Sequence, residues 1–176
     1  MRLTTGAIAP SFEAQDWKER AHRLEDLRGH MVWLAFFRYA SCPLCNLRVH
    51  QLIQRYDELT ARDLRVLAVF QSPPASIARY VGEQEPPFPL LCDPEERLYG
   101  LYGLEHGLGA YVSPRNAPAL TMATAKGFLP GKMEGTKTRI PADFLIDPEG
   151  VIQDVFYGSV IADHIPFERV ERFLEG

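Results

Sequence analysis

The sequence predicts an α/β fold, and three stretches carry that prediction. Met31-Val32-Trp33-Leu34-Ala35-Phe36-Phe37 is apolar without a break; so short a run without alternation fits a strand covered on both faces. From Pro43 to Thr60 the period changes. Val49, Leu52, Ile53, Tyr56 and Leu59 recur at three and four, with Arg48, Gln51, Arg55 and Glu58 between them, which is the stripe of an amphipathic helix. Leu64 to Phe70 is a second buried strand. Residues 31–70 therefore read strand, helix, strand, and two parallel strands joined this way take a right-handed crossover.

The other elements follow in order. Ser11 to Trp17 suits a strand, and the polar Lys18 to Arg23 turns the chain back. Leu24 to Gly29 reads as one helical turn that Gly29 closes. Pro73-Pro74 opens a helix running to about Gly82, since proline in a first turn gives up no hydrogen bond. Phe88 to Cys92 is a third strand, and Asp93-Pro94 starts a short helix through Leu98-Tyr99. Residues 103–138 are glycine-rich and the least regular, with a helix at Ala117 to Lys126 closed by Gly127. Phe144-Leu145-Ile146 and Val151 to Tyr157 flank Asp147-Pro148-Glu149-Gly150, a hairpin turn. Phe167, Val170, Phe173 and Leu174 share one face of a last helix.

Composition bounds the function. Of 176 residues, 46% are hydrophobic and 24% charged, enough for a core within one domain spanning 1–176. Lys plus Arg number 19 against 23 Asp plus Glu, a net charge of −4, which disfavours nucleic acid as a partner. No apolar stretch approaches the roughly 18 residues of a membrane span, and Met1 to Pro10 has no apolar region of a secretory signal. Three cysteines are too few for a disulfide scaffold. They suit a reducing compartment, so the cytoplasm is expected.

The chemistry concentrates in Ser41-Cys42-Pro43-Leu44-Cys45, between the first buried strand and the amphipathic helix. Pro43 fits the first helical position, which puts Cys42 at the N-cap and Cys45 three residues on. The free N–H groups and dipole of a helix start stabilise a thiolate, and Arg38 and Arg48 add positive potential. A zinc half-site has the same spacing but needs a second ligand pair, and Cys92, His22, His30, His50, His106 and His164 are isolated. A merely packed pair is the other alternative. Strand before and helix after favour redox work.

Several residues stay at the margin. Pro141 stands at the doorstep of a strand, where either a cis Ile140–Pro141 bond or a proline that simply starts the strand accounts for it. Arg38 and Tyr39 either tune the cysteine pair or are plain loop. Cys92 reads as packing. Asp163 reads as the start of a helix and His164 as a solvated ring, while His50 should point away from the pair. Trp17 and Trp33 read as core.

In their order, Gly6 to Phe12, Leu24 to Gly29, Phe36-Phe37 before Cys42-Pro43-Leu44-Cys45, Phe88 to Asp93 and Pro141 to Gly150 resemble the thioredoxin-like superfamily. The branch they resemble is peroxiredoxin-like, the alkyl hydroperoxide reductase/thiol-specific antioxidant type. The resemblance implies a thioredoxin-like fold: a central mixed β-sheet flanked by helices, here with an N-terminal strand extension and a loop-rich insertion at about 103–138. It also implies a redox pair at the exposed start of the first long helix, faced by a cis proline that would be Pro141 and would help bind substrate. Two departures bear on the chemistry. If Cys45 takes the peroxidatic position, Cys42 replaces the Thr or Ser three residues before it. Pro141 stands where the later catalytic Arg belongs, with Arg139 displaced. Thioredoxin's Trp before the pair is Ser41 here.

These departures favour a thiol–disulfide oxidoreductase that cycles a Cys42–Cys45 dithiol and disulfide in an antioxidant or redox-maintenance role. The alternative is a thiol-dependent hydroperoxide peroxidase using the same pair; the alternative of another class is a binding module that kept the fold. No metal or organic cofactor is required. The partners expected are an external reductant of thioredoxin or glutathione type, a hydroperoxide or protein disulfide as substrate, no nucleic acid and no membrane, with a homodimer left open. Exposure of the N-cap position favours Cys42 as attacker and Cys45 as resolving thiol, whereas the peroxiredoxin pattern puts attack at Cys45. Residues 103–138 are expected over the edge of the redox site or at an oligomer contact.

Overall fold

A computed structural model describes residues 1–176. Its centre is a five-stranded mixed sheet. The strands are β3 (Met31–Phe36), β4 (Leu64–Phe70), β5 (Leu90–Cys92), β6 (Ala142–Ile146) and β7 (Ile152–Tyr157), in spatial order β5-β4-β3-β6-β7. β3, β4 and β5 run parallel, whereas β6 and β7 run antiparallel to their neighbours. A small antiparallel pair, β1 (Glu13–Gln15) and β2 (Ala21–Arg23), precedes the sheet. The helices are α1 (Pro43–Thr60), α2 (Pro74–Arg79), α3 (Arg97–Leu101), α4 (Leu108–Tyr111), α5 (Ala117–Ala125) and α6 (Phe167–Glu175).

The unbroken apolar run of β3 has its cause in two cores. Trp33, Ala35 and Phe37 pack with Val49 and Leu52 of α1 on one face. Val32, Leu34 and Phe36 pack with Leu67, Tyr99, Tyr102 and Phe144 on the other. A strand alternates its side chains, so a strand with a core on each side has no position left for a polar residue. Phe36 meets Tyr99, Tyr102 and Phe144 with ring centroids 5.2, 5.2 and 5.8 Å away.

Two helices depart from their expected bounds for local reasons. The chain after β5 becomes helical at Arg97 rather than at Pro94. The buried Asp93 carboxylate reaches past the turn to accept the N–H groups of Arg97 and Leu98 at 3.0 and 2.7 Å. Helix α2 ends at Arg79, and a separate 3-10 turn takes Val81–Gln84.

The expected cis bond at Pro141 is corrected: the Ile140–Pro141 peptide is trans, like every other in the chain. β6 begins one residue later, so the missing N–H falls outside the ladder and needs no special geometry. The Pro141 carbonyl accepts the Gly158 N–H at 2.9 Å and closes the end of the β6–β7 hairpin.

Candidate active site

Cys42 is the N-cap of α1, Pro43 its first helical residue and Cys45 its third. The approach to the helix is tied at several points. The Cys42 N–H donates to the Tyr39 carbonyl at 3.0 Å, the Ala40 N–H to Ser72 Oγ at 2.9 Å, and Asn46 Nδ2 to the Ala40 carbonyl at 2.8 Å. Both cysteines are free thiols. Neither meets solvent: Cys42 is 0% and Cys45 1% exposed. That corrects the expectation of an exposed pair at the helix start. The cause is the segment between α3 and β6, which folds back over it.

The segment covers the pair with side chains and holds its neighbours with main-chain carbonyls. Tyr111, Val112, Leu120 and Pro130 join Leu44 and Ile161 as walls of a cavity of about 400 Å³ that reaches Arg38 and Cys42. Ser41 Oγ donates to the Lys132 carbonyl at 2.6 Å, and Arg38 Nη2 donates to that of Lys137 at 2.5 Å. The strap comes so close that a Cβ on Gly131 would lie 2.7 Å from the Tyr80 ring and 2.9 Å from Ser41 Cβ. Any larger residue there would force Tyr80 or Ser41 to shift.

Arg38 supplies the site's charge. The residue is 2% exposed and no carboxylate lies within ion-pair distance; its Nη1 donates to Cys42 Sγ at 3.4 Å. It lies over the rings of Tyr39 and Tyr111, 4.8 and 5.3 Å from their centroids, and its Nε has no partner. The Arg38 backbone N–H donates to Cys45 Sγ at 3.4 Å. Burial alone would raise both thiols. At Cys42 it is outweighed by the hydrogen bond from the Cys45 thiol, the Arg38 charge and the N–H groups of Cys45 and Leu44, so this thiol is lowered. Burial and the Cys42 partner push Cys45 well up. Within the pair, thiolate character therefore falls on Cys42 rather than Cys45. Burial raises the Tyr39 hydroxyl to about 12 despite Arg38, so it stays neutral.

The remaining singled-out residues lie elsewhere. Arg48 donates to the Ile165 carbonyl at 2.5 Å and packs over Phe167 and Trp33; its charge acts on Asp143. Pro141 does not line the cavity. Cys92 lines a separate groove with Phe12, Pro94 and Leu98, its thiol pushed up to about 12 by burial and then by Asp16. Arg139 pairs with Glu96 and donates to the Leu104 carbonyl. His50 lies on the outer side of α1 near Gln54 and Lys126. Of the flanking cations, only Arg38 reaches the sulfurs.

His164 is corrected as well. Its side chain is 5% exposed, not solvated, and Nδ1 lies 3.1 Å from the fully buried Asp143 carboxylate. That carboxylate also accepts Trp33 Nε1 and the Ile165 N–H, each at 2.9 Å. Burial opposes the charge on Asp143. The charge and hydrogen bond of His164, together with Arg48, outweigh it and hold the carboxyl below its ordinary range. Asp143 is the one polar residue in an otherwise apolar strand, and that was the available signal: a buried carboxylate requires a partner.

The sequence model of the AhpC/TSA family matches residues 5–155. Peroxiredoxin Bcp of Escherichia coli (strain K12) is 27% identical over 165 residues, covering 92% of this chain and 90% of that protein. Thiol-disulfide oxidoreductase ResA of Geobacillus thermodenitrificans is 23% identical over 164 residues, covering 93% and 75%. The crystal structure of peroxidoxin BcpB from Mycobacterium tuberculosis superposes with a TM-score of 0.73 at 19% identity, covering 99% of this chain and 97% of that one.

Proposed function

The chain belongs to the AhpC/TSA family of thiol-dependent oxidoreductases, and on that premise we propose that it reduces a small hydroperoxide through Cys42. One observation carries the proposal. Cys42, whose sulfur Arg38 contacts, is among the residues that line a mostly apolar cavity of about 400 Å³, and it has no exposed surface. That geometry fits a small molecule as the partner of the reduced thiolate. The Cys42 thiolate attacks the terminal peroxide oxygen, the O–O bond breaks, and the leaving alkoxide takes a proton. The Cys42 sulfenic acid then condenses with the Cys45 thiol, forming the disulfide and releasing water. An external thiol reductant of thioredoxin or glutathione type returns two electrons, a cycle suited to a reducing compartment such as the cytoplasm. The whole chain acts as one thioredoxin-like domain with residues 103–138 as its insertion.

A second substrate class is favoured by the cysteine spacing itself. Cys45 stands one helical turn from Cys42, positioned to resolve a mixed disulfide with a low-molecular-weight disulfide. Steady-state NADPH consumption with thioredoxin reductase and thioredoxin separates the two. Turnover with hydrogen peroxide or an alkyl hydroperoxide is expected; turnover with a small disulfide alone would overturn the peroxidase reading. Mass spectrometry of the Cys45→Ser variant after one equivalent of peroxide should find the sulfenic acid on Cys42. Finding it on Cys45 in Cys42→Ser would reverse the roles.

A further inference from the structure

A guanidinium tunes a thiol only while it is aimed at it. Arg38 has no acidic partner to aim it. Its fixed anchors are the Lys137 carbonyl, which accepts from Nη2, and the Gln71 N–H, which donates at 3.0 Å to its own carbonyl. Both anchors converge on one distant side chain. Glu96 Oε1 accepts the Thr136 N–H at 2.6 Å and Gln71 Nε2 at 2.7 Å, and Glu96 Oε2 accepts Thr136 Oγ1 at 3.0 Å and pairs with Arg139. Arg139 in turn donates its N–H to the Thr136 carbonyl at 3.0 Å, closing the turn that presents Lys137. Glu96 itself takes a left-handed conformation with φ +55°. A side chain other than glycine holds that conformation only where its surroundings over-determine it.

We propose that Glu96 is a positioning residue for the attacking thiol, holding Thr136 and Gln71 so that Arg38 stays aimed at Cys42 Sγ. The inference rests on the reading of Cys42 as the attacking, Arg38-paired sulfur. It also assigns Arg139 a place in the clamp rather than at the reacting atoms. The sign of the effect separates positioning from simple proximity. As a nearby negative charge Glu96 would oppose a thiolate, so neutralising it would lower the Cys42 pKa or leave it alone. Loss of Arg38 alignment raises it. The ionisable groups around Cys42 are Arg38 and Tyr39 before the helix, Cys45 on it and Tyr111 from the cover.

The test is the pH dependence of iodoacetamide alkylation at Cys42, read by peptide mass spectrometry on the reduced full chain. Glu96→Gln should move the midpoint upward by about one unit, about a tenfold loss of thiolate at a pH below the midpoint. Thr136→Val removes a single clamp hydrogen bond, should move it the same way by less, and carries the test if Glu96→Gln fails to fold. Arg38→Met should move it at least as far, and Glu96→Gln should add nothing on that background. An unchanged or lowered midpoint in Glu96→Gln, or an equal shift with Arg38 already removed, overturns the proposal. If Arg38→Met alone leaves the midpoint in place, the pairing of Arg38 with Cys42 fails, and this inference with it.

Discussion

Two buried polar networks lie on this domain, and they are satisfied to different degrees. Around Asp143 the carboxylate takes Trp33, His164 and the Ile165 N–H. Around Cys42, Arg38 has no carboxylate, leaves its Nε unpartnered and spends one N–H group on a sulfur. A closed network rigidifies the fold, while an open one retains donors for a reacting group. The first belongs to the stability of the molecule and the second to its chemistry.

Substitutions that break one network without the other sharpen the contrast. The largest effect is expected from Cys42→Ser, which should lower peroxide turnover by on the order of a thousandfold or more, as removal of a nucleophile does. Its thermal unfolding should stay close to that of the parent chain. Turnover surviving in Cys42→Ser would move the attack to Cys45.

Asp143→Asn should do the reverse. Breaking a buried pair costs about 3–5 kcal/mol, or about 10 °C in Tm for a chain of this size. The folded fraction should keep its alkylation midpoint at Cys42. The pH dependence has a definite sign: a carboxyl lowered by folding stabilises above its ordinary pKa and loses that contribution as pH falls through the folded value. The parent chain should therefore lose stability below about pH 4, and Asp143→Asn should lose less over the same range. Urea midpoints from pH 3 to 7 read both. Parallel curves would remove Asp143 from the account.

Gly131→Ala tests the strap over the cysteine pair. Its Cβ would collide with Tyr80 and Ser41, and such overpacking costs about 1–3 kcal/mol. Hydrogen exchange should quicken across 128–138, where the strap bonds Ser41, and leave β6 protected. The smallest effect belongs to His50→Ala, which should change stability by under about 0.5 kcal/mol and activity not at all.

What the sequence disclosed follows the range of the forces involved. β4 runs from Leu64 to Phe70 as its apolar run announces, and α1 starts at Pro43 with the cysteines in their expected places. Both are local consequences of side-chain period and of proline's missing N–H. The cover was legible only as irregularity. Its grip on Arg38 and Ser41 is made by the carbonyls of Lys137 and Lys132, groups every residue carries, so no side-chain pattern marks them. The His164 contact with Asp143 spans 21 positions and needs the β6–β7 hairpin to bring it about. Pro141 misled because a proline beside a strand looks alike whether or not the strand includes it.

The pairing of Arg38 with Cys42 also bears on the direction in which electrons move. It favours the dithiol form, in which a thiolate faces the cation, over a disulfide that offers no negative charge. Stabilising the reduced side of a couple makes its midpoint potential less negative, by about 30 mV for each tenfold preference. The pair is accordingly a ready acceptor from cellular thiols and a reluctant donor to protein disulfides. In glutathione redox buffers Arg38→Met should move the midpoint toward the reducing side, making the disulfide easier to keep and the enzyme slower to reset. The same buried cation that readies the sulfur for attack thereby sets the ease with which it is recharged.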